Sequence, residues 1–184
     1  MLDGHKLEDI NIGWLRSQIG YVGQNPTLFN GTIRDNILLG NPNATEAEII
    51  AAAKAANAHD FILQQGQGYD TDIGSGGSLL SGGQRQRVAI ARAIVKPNVK
   101  FLVLDEATSA LDNESEKIVQ AALDNLQKTQ PRTTLVVAHR LKTVQNCDQI
   151  AVLGRGGVLE LGSHSGLLEK QSLYRELWEK QGAS

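Results

Sequence analysis

The sequence predicts an α/β fold, a mostly parallel sheet with flanking helices, and three observations predict it. Two apolar runs, Phe101-Leu102-Val103-Leu104 and Thr133-Thr134-Leu135-Val136-Val137-Ala138, do not alternate with polar residues. Each therefore reads as a strand buried on both faces, as in parallel sheets covered by helices. Strand and helix patterns alternate from Val99 onward, which is the α/β arrangement. Hydroxyl or carboxylate caps stand ahead of the helical segments.

The elements follow in chain order. Gln18-Ile19-Gly20-Tyr21-Val22 is a first strand, and the region from about Thr27 to Asn98 reads as mostly helical. Thr45 and Glu48 form an S/T-x-x-E box that opens an alanine-rich helix through about Ala56,. Ser81 and Gln84 form the S/T-x-x-Q version, opening a helix to about Val95 that Pro97 stops,. On it Val88, Ala91 and Val95 share a face, while Arg85 and Arg92 point elsewhere,. Asp112 can cap a third helix whose stripe is Ile118, Val119, Ala122, Leu123 and Leu126,. Gln149 to Leu153 and Val158 to Leu161 pair as a hairpin around Gly154-Arg155-Gly156-Gly157,. Ser165 and Ser172 are set to cap two short C-terminal helices, and the Gly-rich segment from Ile73 to Gly83 is a loop flanked by structure.

Composition limits the function classes. The 184 residues carry 18 Lys+Arg against 20 Asp+Glu, a formal net charge of −2, so the footprint of a phosphate-backbone binder is missing and no nucleic-acid partner is expected,. A single cysteine, Cys147, excludes an internal disulfide and any multi-cysteine metal site, and reads as packed rather than reactive,. Trp14 and Trp178 read as packing residues and the lysines as solvated. The apolar runs are too short to span a bilayer, and the first residues are too polar for a signal peptide,. The expectation is a soluble, intracellular chain.

Four places hold residues suited to chemistry. In Leu80-Ser81-Gly82-Gly83-Gln84 the glycines leave backbone amides uncovered at a helix N-terminus, where phosphate binds readily; the alternative is a plain capped helix,. Asp105 and Glu106 close a buried strand at the carboxyl edge of the sheet, where α/β proteins bind ligands,. One carboxylate can hold Mg²⁺ and the other can orient an attacking water; alternatively both are solvated acids. His139 occupies the equivalent place after the next strand, able to reach a phosphate edge or position water,. Gln24 follows the first strand and precedes Pro26, where its amide can bind water or a metal ligand, or serve as a polar turn residue,.

The order and spacing of these motifs resemble the nucleotide-binding domain of an ATP-binding cassette (ABC) transporter. Leu80 to Gln84 resemble its signature, and Phe101 to Glu106 its Walker B strand and catalytic glutamate. Ser109-Ala110-Leu111-Asp112 resemble the D-loop, Ala138-His139-Arg140-Leu141 the switch histidine loop, and Gln24 the Q-loop glutamine. Leu28 to Ile37 and Gly162 to Leu168 resemble the multidrug and peptide exporter branch in particular.

The resemblance implies a P-loop NTPase-like core over about 1–26 and 99–184, with a helical signature subdomain over about 27–98. It implies ATP and Mg²⁺ as cofactors, with Glu106 and His139 catalytic and Asp105 and Gln24 at the metal. Leu80, Ser81, Gly82, Gly83, Gln84, Asp112 and Gln24 would contact nucleotide. Two such cassettes sandwich ATP head to tail, below transmembrane domains at the cytoplasmic face of a membrane. Two departures stand out. Asp72 and Ser75 occupy positions where the exporter pattern usually carries glutamates, and no G-x-x-x-x-G-K-[ST] loop occurs. The chain thus resembles a cassette without its front strands, with an exposed sheet edge suited to self-association. Weak activity alone, or donation of the signature in trans to a complete cassette, is expected. A chromosome-maintenance ATPase is disfavoured by the missing heptads and basic patches,.

Overall fold

The computed structural model describes residues 4–108, 111–129 and 132–182, and the chain divides into two compact units, residues 1–137 and 138–184. Ser109 and Ala110 of the expected D-loop lie outside the described residues.

The first unit runs α1 (Ile12–Ser17), β1 (Ile19–Val22), α2 (Ile33–Leu38), α3 (Glu46–Ala55), α4 (His59–Leu63), α5 (Gly82–Val95), β2 (Phe101–Asp105), α6 (Asn113–Thr129) and β3 (Thr133–Val137). The strands form one parallel sheet in the order β1-β2-β3, with Tyr21 level with Val103 and Val103 level with Leu135. Between β1 and β2 every regular element is helical.

Local sequence explains the helix starts. Reciprocal capping boxes at Thr32/Asp35, Thr45/Glu48 and Ser81/Gln84 each satisfy two orphan amides,. Asp112 accepts from the Glu114 and Ser115 amides and so caps α6. Packing then gathers these helices around α5, which touches α2, α3, α6 and β1. Its Val88, Ile90 and Ala91 are fully buried, as are Ile33 and Ile37 of α2, Ala53 of α3 and Val119 of α6. Gly40, just past α2, permits this closeness, because a Cβ there would collide with the Arg92 carbonyl of α5.

The sheet is covered on one side by the described residues. Leu102 and Leu104 are buried, whereas Tyr21 and Leu135 are each 58% exposed and Val137 is 46% exposed. This corrects the reading of β3 as a strand buried on both faces. An unbroken apolar run permits two-sided burial, but burial itself requires layers on both sides.

The second unit contains a hairpin of β4 (Ile150–Gly154) and β5 (Gly157–Gly162), followed by α7 (His164–Leu168) and α8 (Leu173–Gly182). Its core is Ile150, Leu167 and Tyr174, packed with Leu141, Val144, Cys147 and Trp178. Cys147 is half-buried, and burial raises its thiol pKa, helped by the nearby Asp148 charge. Ser172 caps α8 as expected, but α7 is capped by Ser163, whose Oγ accepts from the Gly166 amide, and not by Ser165. Ser163 has the extended backbone that a cap needs, while Ser165 already lies in the first turn,. Trp14 is half exposed rather than packed. Lys96 departs from the solvated expectation too, donating to the Arg16 and Ile19 carbonyls.

The close approach at Gly40 yields a stability test. Gly40→Ala should lower the urea midpoint by the equivalent of about 1–3 kcal/mol, the usual cost of overpacking. Gly66→Ala, where a Cβ meets open space, should leave the midpoint unchanged within a few tenths.

Candidate functional site

The carboxyl ends of β1 and β2 open into a cleft of about 420 Å³, with Tyr21, Gln24, Phe29, Arg92 and Asp105 in its lining. Gln24 is exposed and Asp105 half-buried. The Tyr21 hydroxyl donates to Asp105 Oδ2 at 3.1 Å across the uncovered face of the sheet. Burial raises the Tyr21 pKa, and its hydrogen bond to Asp105 and the carboxylate's charge add to this, so Tyr21 remains a donor at neutral pH. A Cβ at Gly23 would lie 2.7 Å from the Tyr21 hydroxyl, so a side chain there would push the exposed Tyr21 ring from this position.

The loop carrying Gln24 is held at both ends by α5. Gln86 is 1% exposed and donates from Nε2 to the Gly23 carbonyl at 3.0 Å. Arg92 donates to the Thr27 carbonyl at 2.9 Å and to the Asn36 carbonyl at 3.1 Å, with its guanidinium over the Phe29 ring. Burial lowers the Arg92 pKa, though not enough to uncharge a guanidinium,. Asn36, also 1% exposed, donates to the Phe29 and Thr32 carbonyls. Sequence reading does not single out Tyr21, Asn36 or Gln86. Gln86 stands between Arg85 and Arg87, so nothing in its local sequence marks it as buried.

Glu106 directly follows β2 and takes a left-handed conformation, φ 47°, while its amide donates to the Val137 carbonyl at 2.8 Å. A non-glycine residue in that region is strained and persists only where surrounding structure holds it. Here the strand pair β2–β3 continues through the Glu106 amide and fixes the turn.

Leu80 to Gln84 open α5 away from this cleft. Ala89 and Arg92 line the cleft, and Ser81 lies eight residues before Ala89, about 12 Å along the helix axis,. Ser81 is exposed, with its Oγ accepting from the Gln84 amide at 3.2 Å. Gly83 has a packing part in addition to the amide-donor part expected of it. It is buried, and a Cβ there would stand 2.7 Å from Ser115 Oγ, so its smallness serves the packing of α5 on α6. Asp112 lies beside that contact as the cap of α6, and the Ser115 hydrogen bonds lower its carboxyl pKa. At the departures from the exporter pattern, Asp72 accepts from the Gly74 amide at 2.7 Å and Ser75 begins a short 3-10 turn.

His139 belongs to the second unit, two residues beyond the end of β3. Its carbonyl accepts from Gln181 Nε2 at 2.7 Å, and Gln181 Oε1 accepts from the Leu141 amide at 2.9 Å. No three His, Cys, Asp or Glu side chains gather as a metal cluster among the described residues. A cation held by Asp105 and the Gln24 amide would therefore need further oxygens from a ligand.

A parallel sheet with acids at its carboxyl edge, and a serine-capped Gly-Gly helix packed behind it, is the architecture of an ABC cassette. Residues 1–109 match the ABC transporter family, and the chain belongs to it. It is 56% identical over 180 residues to ABC transporter B family member 4 of Dictyostelium discoideum, covering 98% of this chain and 23% of that protein. Over 184 residues it is 55% identical to multidrug resistance protein 4 of Entamoeba histolytica, covering 98% of this chain and 14% of that one. A bacterial Atm1-family ABC exporter solved with ATP bound superposes with a TM-score of 0.90 and 44% identity, over 100% of this chain and 32% of that one. The chain thus spans less than a quarter of these two curated relatives. No helix of the described residues is long and apolar enough to cross a membrane.

The strain at Glu106 can be measured apart from its chemistry. Glu106→Gly should be more stable than Glu106→Ala by about 1 kcal/mol, since only alanine retains a Cβ in the left-handed region. Equal urea midpoints for the two variants would remove the claim of strain.

Proposed function

We propose that this chain is the ATP-binding cassette of a membrane exporter and that its residues divide between two nucleotide sites. The observation that carries this reading is the left-handed Glu106 directly after Asp105, at the carboxyl edge of a parallel sheet. Such a turn costs stability and is the kind of strain that active sites retain. The donor set fits the nucleotide and its cation. Asp105 and Gln24 supply hard oxygens, and Mg²⁺ accepts one or two protein oxygens with the rest from phosphate and water. Bound there, Mg²⁺ neutralises charge on the phosphates.

In one site Asp105 holds the cation, with the Tyr21 hydroxyl fixing its second oxygen. Glu106 orients the attacking water or takes its proton. Gln24 reads the presence of phosphate and cation from a loop that α5 holds at both ends. His139, assigned from its motif Ala138-His139-Arg140-Leu141, steadies the γ-phosphate. The second site belongs to a facing cassette in a head-to-tail pair. There the Ser81 hydroxyl and the amides at the start of α5, flanked by Leu80, Gly82, Gly83 and Gln84, grip the facing γ-phosphate at a positive helix end. Asp112 shapes the adjoining turn as the cap of α6. Transmembrane domains would couple this cycle to export.

A second reading has its own observation. The 184 residues contain no Gly-Lys pair, hence no lysine-bearing phosphate cradle,. In this reading the chain acts as a donor, lending Ser81 to a complete cassette. Each charge-assisted hydrogen bond that a lysine-bearing cradle gives a phosphate is worth roughly 1.5–3 kcal/mol.

Two measurements follow. Calorimetric titration of the purified chain with Mg-ATP should give dissociation weaker than micromolar, and low-micromolar binding would overturn the assignment of phosphate affinity to the missing cradle. Mixed with a complete cassette of the family, the chain should raise ATP turnover, and Ser81→Ala should reduce that gain by about 10²-fold, the scale of removing one transition-state donor. Stimulation that survives Ser81→Ala unchanged would remove Ser81 from the facing site.

A further inference from the structure

We infer that Gln181, near the end of α8, is a positioning residue for the His139 loop. The inference rests on the proposed role of His139 at the γ-phosphate and extends it to a residue with no expected part in the chemistry. One side-chain amide makes two hydrogen bonds to one short piece of main chain. Nε2 donates to the His139 carbonyl at 2.7 Å, and Oε1 accepts from the Leu141 amide at 2.9 Å. The pairing is directional, because the carbonyl needs a donor and the N–H an acceptor, so the two ends of the amide are not interchangeable. The two bonds bracket Arg140 and anchor the main chain directly on the C-terminal side of the Cα from which the His139 side chain leaves. Beyond it the chain turns through a short 3-10 segment, Leu141–Thr143.

A clamp positions its target only if it is itself fixed, and α8 is fixed at its start and middle. Glu160 of β5 accepts from the Leu173 amide at 2.7 Å and the Tyr174 amide at 3.1 Å, while Ser172 caps the same turn. From that turn the Tyr174 hydroxyl meets His164 Nδ1 at 2.8 Å, and one turn on Trp178 meets the His164 ring edge-on with centroids 4.5 Å apart. Tyr174 is fully buried. The hairpin and α7 thus hold α8, and α8 presents Gln181 to the loop. This gives the C-terminal unit a task in the ATP cycle: it is the splint for the switch histidine. A group that must meet a developing charge gains from having its backbone set beforehand.

The test uses the whole chain, labelled for NMR. In Gln181→Leu, which removes both bonds, the Leu141 amide should exchange with solvent about tenfold faster, the effect of removing one hydrogen bond. Gln181→Glu keeps an acceptor but offers no donor, so it should retain most of the Leu141 protection and still alter the His139 ring signals. In both variants the Trp178 indole and His164 ring signals should stay in place, which reports a folded unit. With millimolar Mg-ATP the His139 ring signal should shift in the wild-type chain and shift less in Gln181→Leu. Unchanged Leu141 exchange and an unchanged His139 response in Gln181→Leu would overturn the positioning role. A wild-type His139 signal that ignores Mg-ATP while the Tyr21 and Gln24 signals of the cleft respond to it would instead overturn the role of His139 itself, leaving the clamp intact.

Discussion

The hydrogen bond from buried Gln86 to the Gly23 carbonyl is the constraint on which the first unit depends. A primary amide at 1% exposure loses its water, and without a partner it would cost about 1–3 kcal/mol,. Gly23 supplies that partner, so the end of β1 is bound to the middle of α5. Arg92 repeats the connection two turns later at Thr27, and the loop carrying Gln24 has little freedom at either end. The serine-capped start of α5 and the cleft at β1 and β2 are thereby parts of one rigid piece.

Features set by near neighbours can be read from the sequence. The caps at Thr45, Ser81, Asp112 and Ser172 act on amides two or three residues away, and the order of strands and helices follows from runs of side chains. Ser163 and Ser165 are easily confused because both hydroxyls stand within reach of the same turn, and only backbone angles separate them. The candidate acids at β2 are legible because the end of a buried strand is a chemical position as well as a structural one.

What escapes sequence reading is long-range or concerns what covers a surface. Gln86 meets Gly23 across 63 positions and Gln181 meets Leu141 across 40. No local pattern announces such pairs, because a glutamine on a helix is ordinarily solvated. The exposure of Leu135 and Val137 is hidden for another reason: the strand's own residues say what it tolerates, not what lies above it. The left-handed Glu106 is hidden as well. Strain appears only once β2 and β3 are paired and the Glu106 amide is drawn to Val137.

The contact of Gly83 with Ser115 ties the beginnings of α5 and α6 together, with Ser81 one step before the first helix and Asp112 one step before the second. The two helix starts cannot come closer there, because Ser115 fills the space that a Cβ at position 83 would need. Positions 83 and 115 are consequently joint property. Any lineage that enlarges one of them must trim the other or accept a wider gap between the two turns.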